Sequence, residues 1–496
     1  MPLRNTIIVV VLLLLVGGYA LYLRHQPAPE ATPKLYKIDA KDIVKIDLHS
    51  PDRDLVLERT RDNGWKLVKP ITANADSETV NEIANDIAGL QITGTAEDQP
   101  ADLAPFGLAV PAVIVTVTTS DQKTLPSIMV GKQAPIGNSG FIKRADQPAV
   151  LLVGNVFAAQ VNKQVNDLRS RAIFKLKAPD AHKIVIERGA ETFELVRTGD
   201  NWKFTKPRDY PADKEAVTAM LNTLDNARVV EFQGDGATDL TKYGLATPSL
   251  KITLYGTGNA PGETLDFGFK QAAAGSNGTY ALSGDPKTNP VYTLTNDVFA
   301  AVDKSFDDLR DKTVMRFDPA KAARITFVGG PVDETLARGA DGKWSITSGR
   351  KTAAAELPVA QSLVDQLHEL KATRIVEDPM SDPNHYGMVS PTVTISVMDN
   401  KGQPLGELRA SILEVTVTPH SSDEKPQIRT FGYATTSLDA AVYEIPAQAV
   451  KDLENTGNRL HSDVAATPTP TMAASRASTA APASSTIASP GVAAAP

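Results

Sequence analysis

The chain has 496 residues, 51 Lys+Arg against 58 Asp+Glu, a formal net charge of −7 and no cysteine. Disulfides, thiolate metal sites, iron–sulfur clusters and cysteine nucleophiles are thereby excluded. The mildly acidic balance speaks against a nucleic-acid binder, and at ~100–200 residues per domain the length predicts about three domains.

Residues 1–5 form a short N-terminal tail. Thr6 to Leu23 is an uncharged apolar stretch. At ~1.5 Å per helical residue it reaches about 27 Å, enough for a bilayer core, and Tyr19 and Tyr22 stand near its outer end. It predicts a transmembrane helix over residues 6–23. A cleaved signal peptide competes, because Gly18-Tyr19-Ala20 loosely fits a small-x-small site. The apolar run continues to Leu23, which favours the anchor. Flanking charges do not fix the orientation, but long domains translocate largely regardless of charge. The expectation is a single-pass inner-membrane protein with its bulk in the periplasm, joined to the span by a linker at 24–34.

Three segments then repeat. Trp65-Lys66-Leu67-Val68-Lys69-Pro70 matches Trp202-Lys203-Phe204-Thr205-Lys206-Pro207, with Trp344-Ser345-Ile346-Thr347 a weaker third copy. Phe106-Gly107-Leu108, Tyr243-Gly244-Leu245 and Tyr386-Gly387-Met388 recur in step, each followed by a proline, Pro111, Pro248 or Pro391. A period this long predicts whole domains rather than solenoid repeats. The units are read as 35–173, 174–314 and 315–462, with a disordered Ala/Pro/Ser/Thr-rich tail at 463–496.

Within each unit, β-rich runs such as Ile43–Leu48, Lys183–Glu187 and Arg324–Val328 come first. The Trp strand and a helix follow. Asp76 and Asp213 are predicted N-caps, and Pro358 fits the start of the third helix. Four strand-like runs come after the aromatic-Gly turn; in unit two they are Leu250–Tyr255, Thr264–Phe269, Thr279–Leu282 and Val291–Leu294. A second helix closes the unit, over Val156–Arg169, Asp297–Arg310 and Ala447–Asn455. The fold class is α+β: an N-terminal transmembrane helix, then three tandem homologous units, each a mostly antiparallel sheet with two helices.

No catalytic constellation emerges. The seven histidines show no i,i+4 pair and no HExxH, so no metal site is expected. Ser120-Asp121-Gln122-Lys123 has Ser-x-x-Lys spacing but lies between strand runs, where it reads as a turn. Ser422-Asp423-Glu424-Lys425 sits in a polar loop. Gly131-Lys132 lacks the Walker spacing, and Gly256-Thr257-Gly258 precedes a strand rather than a helix. Adjacent acids such as Asp307-Asp308 diverge on a helix.

The repeated residues have fold-level roles. Trp65, Trp202 and Trp344 read as packing residues, with a ligand-stacking platform as the alternative. Gly107, Gly244 and Gly387 supply a positive φ, and Phe106, Tyr243 and Tyr386 pack inward. Asp167-Leu168-Arg169 and Asp308-Leu309-Arg310 close units one and two, whereas alignment places His461 at the arginine position of unit three. Only units with a successor carry the arginine. Arg169 and Arg310 are therefore expected to reach the start of the following unit, near 174–188 and 315–328, each bond to a charged group contributing ~1.5–3 kcal/mol. A cation at a helix C-terminus is the alternative reading.

These motifs resemble a bacterial domain-of-unknown-function family of single-pass membrane proteins. Its tandem units carry a Trp-Lys-Leu-x-x-Pro strand, a Tyr/Phe-Gly-Leu-x-x-Pro turn and a closing Asp-Leu-Arg helix. The resemblance covers about residues 1–462. Unit three departs from it, with Gly349 for the proline, Met388 for the leucine and the arginine lost. It implies association with gliding-motility-type ABC transporter components and no catalytic residues.

The expected function is a non-enzymatic, membrane-anchored accessory or scaffold protein of an envelope ABC-type transport system, without cofactor. The alternative is an envelope binding module whose tandem units gain avidity for a glycan or lipid headgroup. The predicted topology is directly measurable. Fusions after residue 200 should be active with a periplasmic phosphatase and dark with a cytoplasmic fluorescent protein; the reverse pattern would place the units in the cytoplasm.

Overall fold

The computed structural model describes residues 32–236, 239–271, 278–285, 289–328, 333–355, 357–417 and 427–466. The predicted span at 6–23, the Ser422–Lys425 loop and most of the predicted tail lie outside them. Among the described residues no helix is long and apolar enough to cross a membrane.

Each repeat folds around one sheet of nine strands, giving an α+β protein of three units. In the first repeat the strands are β1 Ile43–Ser50, β2 Arg53–Arg59, β3 Trp65–Lys69, β4 Ala73–Asn74, β5 Gly94–Glu97, β6 Val113–Thr119, β7 Ile128–Gln133, β8 Ser139–Arg144 and β9 Val150–Gly154. Their order across the sheet is β4-β3-β2-β1-β6-β7-β8-β9-β5, and the other two sheets repeat it. The pattern is two antiparallel meanders joined where β1 meets β6, with β5 brought to the far edge after a helix. β4 and β5 were not foreseen from the sequence, because two to four residues carry too little periodicity to read.

Strict alternation builds the core face. In β6, Val113, Val115 and Val117 point inward and the residues between them are half-exposed. The Ser77–Gly89 helix covers this face with Val80, Ile83, Ala84 and Ile87. It starts where expected: the Asp76 carboxylate accepts a hydrogen bond from Thr79 N at 3.0 Å, and Asp213 caps the Lys214–Asn226 helix through Ala216 N at 2.9 Å. Such a cap stabilises a helix by about 1 kcal/mol. The third helix begins at Leu357, so Pro358 takes its second position.

The closing helices correct the sequence reading. Val156–Arg169 is not one helix but two short ones, Val156–Val161 and Val165–Leu168. Its counterpart splits into Asn296–Val302 and Phe306–Leu309. The break is made by a second capping box. Ser305 Oγ accepts from Asp308 N at 3.1 Å, while Ser305 N donates back to Asp308 Oδ2 at 2.8 Å; Gln164 N likewise donates to Asp167 Oδ2 at 2.8 Å. Reciprocal capping starts a new helix at that point, so the aspartate of Asp-Leu-Arg is a cap residue. The third closing helix is continuous and runs past the predicted end at Asn455 to Ala466.

The aromatic-Gly turn builds a smaller second cluster in every repeat. Phe106 packs edge-to-face on Phe141, Tyr243 on Tyr280 and Tyr386 on Tyr433, with centroids 5.1, 5.0 and 5.2 Å apart. Gly107, Gly244 and Gly387 take φ of 69, 71 and 73°, the left-handed region that favours glycine. A second glycine faces the turn. A Cβ on Gly131 would lie 2.3 Å from the Phe106 carbonyl oxygen, and one on Gly268 2.0 Å from that of Tyr243. Gly131 thus belongs to close packing of backbone on backbone.

The chain divides into two compact units, Met1–Glu194 with Thr218–Asp303, and Leu195–Val217 with Lys304–Pro496. Each of the two arginine sites described below lies inside one of them.

Gly131→Ala should lower stability by about 1–3 kcal/mol through overpacking. Gly154→Ala, where an added Cβ meets nothing within 4 Å, should stay near wild type. Urea midpoints of the two variants check this; equal midpoints would remove the close-approach argument.

Candidate functional site

The three tryptophans are core residues. Trp65, Trp202 and Trp344 are 2, 5 and 4 % exposed. The Trp65 indole donates to Asn81 Oδ1 at 2.8 Å, and the Arg59 guanidinium lies 4.5 Å from the ring centroid. No tryptophan offers a face to solvent, so a stacking platform built on them is ruled out. Ser120–Lys123 is a tight turn with Gln122 at φ 63°, held by Asp121 Oδ1 accepting from Lys123 N at 3.3 Å. It has no Ser–Lys pairing. Among the described residues no group of three His, Asp or Glu side chains could hold a metal ion.

The two arginines are the chemistry that the fold concentrates. Arg169 and Arg310 follow the short capped helices directly and take extended backbone, with φ, ψ of −77, 140° and −78, 150°. Each pairs by an isolated bridge with the residue before a long-helix N-cap, Arg169 with Ala75 and Arg310 with Ala212. The adjoining Asp76 N donates to Leu168 O at 2.8 Å, and Asp213 N to Leu309 O at 2.7 Å. The end of each repeat is therefore stitched to the start of its own helix, which aims the arginine outward from the repeat.

Both guanidinium groups reach the following repeat. Arg169 makes a two-pronged bond to Asp235, Nη2 to Oδ1 at 2.7 Å and Nη1 to Oδ2 at 3.2 Å, and lies 4.1 Å from the Phe232 ring centroid. Arg310 Nη1 bonds to Asp378 Oδ2. Its Nε stands 2.9 Å from Asp307 Oδ1, an ion pair without hydrogen-bond alignment. The group also lies 5.5 and 5.2 Å from the Tyr210 and Phe306 ring centroids. Asp235 and Asp378 each follow a bulged strand that pairs with the last strand of the sheet. They are not in the expected 174–188 and 315–328 segments. Position in sequence missed them, because the bulged strand crosses to the far edge of the sheet.

Burial makes these pairs consequential. Arg310 is fully buried and Arg169 is 4 % exposed. Asp378 takes a second cation, Arg208, on the same oxygen as Arg310. Burial pushes its carboxyl up, but the bonds from Arg208 and Arg310 outweigh that and hold it below the usual carboxylate range. Beside it, Arg316 donates to Tyr210 OH and to Asp439 Oδ2, both at 2.6 Å, and Tyr443 OH donates to Asp439 Oδ2 at 2.6 Å. Burial pushes both phenols up.

The first arginine site is different in one respect: it borders an open cavity of about 780 Å³. Ala73, Phe174, Lys175, Glu263 and Tyr292 line it together with Arg169. Glu263 Oε2 accepts from Lys175 N at 2.7 Å, and the Tyr292 hydroxyl pairs with Ser283.

Arg310→Ala removes one of the two cations on Asp378 and leaves Arg208 in place. The loss is that of a hydrogen bond to a charged group, so the stability of the compact unit that contains it should fall by about 1.5–3 kcal/mol, read from its urea unfolding curve. Asp378 adds a pH signature. Its folded pKa is lowered, so its contribution is present above the ordinary carboxylate value of ~3.9 and is lost as pH falls through the lowered value. Asp378→Asn should flatten the loss of stability below about pH 4; an unchanged acid limb would contradict this assignment.

No match is found among curated proteins. Of solved structures, a DnaN sliding clamp (DNA polymerase III subunit beta) from Pseudomonas aeruginosa bound to griselimycin is similar at 6 % identity, covering 84 % of this chain and 93 % of that one, with a TM-score of 0.13. A second structure of DNA polymerase III subunit beta from Pseudomonas aeruginosa matches at 6 % identity over 83 and 93 %, with a TM-score of 0.11. Scores this low carry no argument. The family described as Domain of unknown function (DUF4340) matches residues 65–203 and 202–391. Those tandem matches run from Trp65 in the first repeat through the second and into the third, and the chain belongs to that family.

Proposed function

We propose that this protein is a non-enzymatic, membrane-anchored accessory or scaffold protein of an envelope ABC-type transport system. Its repeats would lie in the periplasm, held to the inner membrane by the Thr6–Leu23 segment. The observation that carries the proposal is the Arg–Asp clasp. Arg169 and Arg310 each leave their own repeat and close on an aspartate of the next. A buried guanidinium held on two prongs or between two aromatic rings fixes direction as well as distance. Such a clasp suits a chain that must present successive surfaces in a set order. The partner class rests on the family resemblance of the Trp-Lys-Leu, Tyr-Gly-Leu and Asp-Leu-Arg motifs, and the anchor on the uncharged apolar stretch.

Affinity purification of the tagged full-length protein from detergent extracts tests this. ABC-type transporter subunits should co-purify with wild type and be depleted with Arg310→Ala. Recovery of no transporter subunit would overturn the proposal.

A further inference from the structure

The two clasps share one framework but differ in what fills them. Matching Trp65 with Trp202 places Ile71 where the later repeat has Arg208, and Ala73 where it has Tyr210. The hairpins confirm the register: Leu67 pairs with Ala73, and Phe204 with Tyr210. Lys175 stands in place of Arg316, and Tyr292 in place of Tyr443.

At the Arg310 clasp the framework is full. Tyr210 is buried and its hydroxyl takes bonds from Arg316 and shares Asp439 with Tyr443. Arg208 completes the charge on Asp378, whose side chain is only 12 % exposed. At the Arg169 clasp both groups are missing. Ile71 and Ala73 stand at those two positions and line the 780 Å³ cavity. Asp235 pairs with Arg169 alone among the described residues, and its side chain is 46 % exposed.

We infer that the cavity beside Arg169 is a docking groove for an extended segment of a partner polypeptide bearing a basic and an aromatic side chain two residues apart. The aromatic ring would take the place left by Ala73, between Phe174 and Tyr292. The cation would take the place left by Ile71 and complete the charge on Asp235. Charge complementarity selects this occupant: the aspartate in the filled clasp has two cations, and the aspartate in the open one has one. The chain itself supplies the template, since Arg208-Asp209-Tyr210 carries these groups at this spacing. The groove's chemistry does not depend on the partner being a transporter subunit.

The probe is a fluorescent peptide with the sequence of residues 204–212, Phe-Thr-Lys-Pro-Arg-Asp-Tyr-Pro-Ala, titrated with the purified full-length chain. The control is the same peptide with Ala for both Arg and Tyr. Saturable binding is expected for the first, weakened at least about tenfold for the control. The double variant Ile71→Arg/Ala73→Tyr fills the groove from within and should lose binding while unfolding at a higher urea concentration. Ile71→Arg alone, which adds only the cation beside Asp235, should weaken binding without changing the fold. No saturation by about 1 mM peptide, equal binding of the control, or full binding by the two folded variants would each overturn the groove.

Discussion

A guanidinium taken out of water must meet a carboxylate, and the position of that carboxylate decides how these repeats connect. The Asp-Leu-Arg motif meets the requirement in three steps. Its aspartate starts a four-residue helix by reciprocal capping. Its leucine is buried in the core, and its arginine leaves in extended conformation. Without the capped restart the chain would continue as helix, and the arginine would point along the repeat's own surface. The clasp therefore depends on a break in secondary structure that costs the chain a few helical hydrogen bonds and gains it a direction.

The partner of each arginine is fixed just as firmly. Asp235 and Asp378 follow edge strands that pair with the last strand of the sheet through a bulge between Phe232 and Gly234, and between Ile375 and Glu377. A bulge turns the strand and re-aims the residues after it. The same bulge lies between Thr95 and Glu97 in the first repeat. The bulged edge strand is thus part of the fold of every repeat, and the Asp-Leu-Arg arm is carried by the first two.

How much of this could be read from the sequence follows from the range of the signals. Alternation in Val113–Thr118 and the exact run Leu250–Tyr255 is local, and both strands formed there. N-caps at Asp76 and Asp213 are local too. The arginine motif was legible through its presence in two repeats and absence from the third. Its partners were not, because the sheet order carries the chain from helix to far edge before returning to the centre. The helix break at residues 162–164 and 303–305 was missed for a different reason. Valine, leucine and phenylalanine continue at helical spacing across it, so apolar periodicity hides the capping box. The contribution of Gly131 was invisible as well, since only the folded backbone brings it against Phe106.

The third repeat shows how little sequence separates an arm from a plain helix. Aligning Leu460 with Leu309 sets Thr456 at the position of Ser305 and Arg459 at that of Asp308. A threonine can cap, but reciprocal capping needs an acid or amide three residues on, and arginine provides only donors. Thr456 instead donates its hydroxyl back to Asp452 O at 2.8 Å, the bond of a threonine inside a continuing helix. The Ala447–Ala466 helix accordingly runs unbroken and keeps Val450, Leu453 and Leu460 buried in its own core. The helix that stops to release an arm and the one that stays with its repeat thus part at the acid of the capping box, Asp308 against Arg459, and at the arm itself, Arg310 against His461.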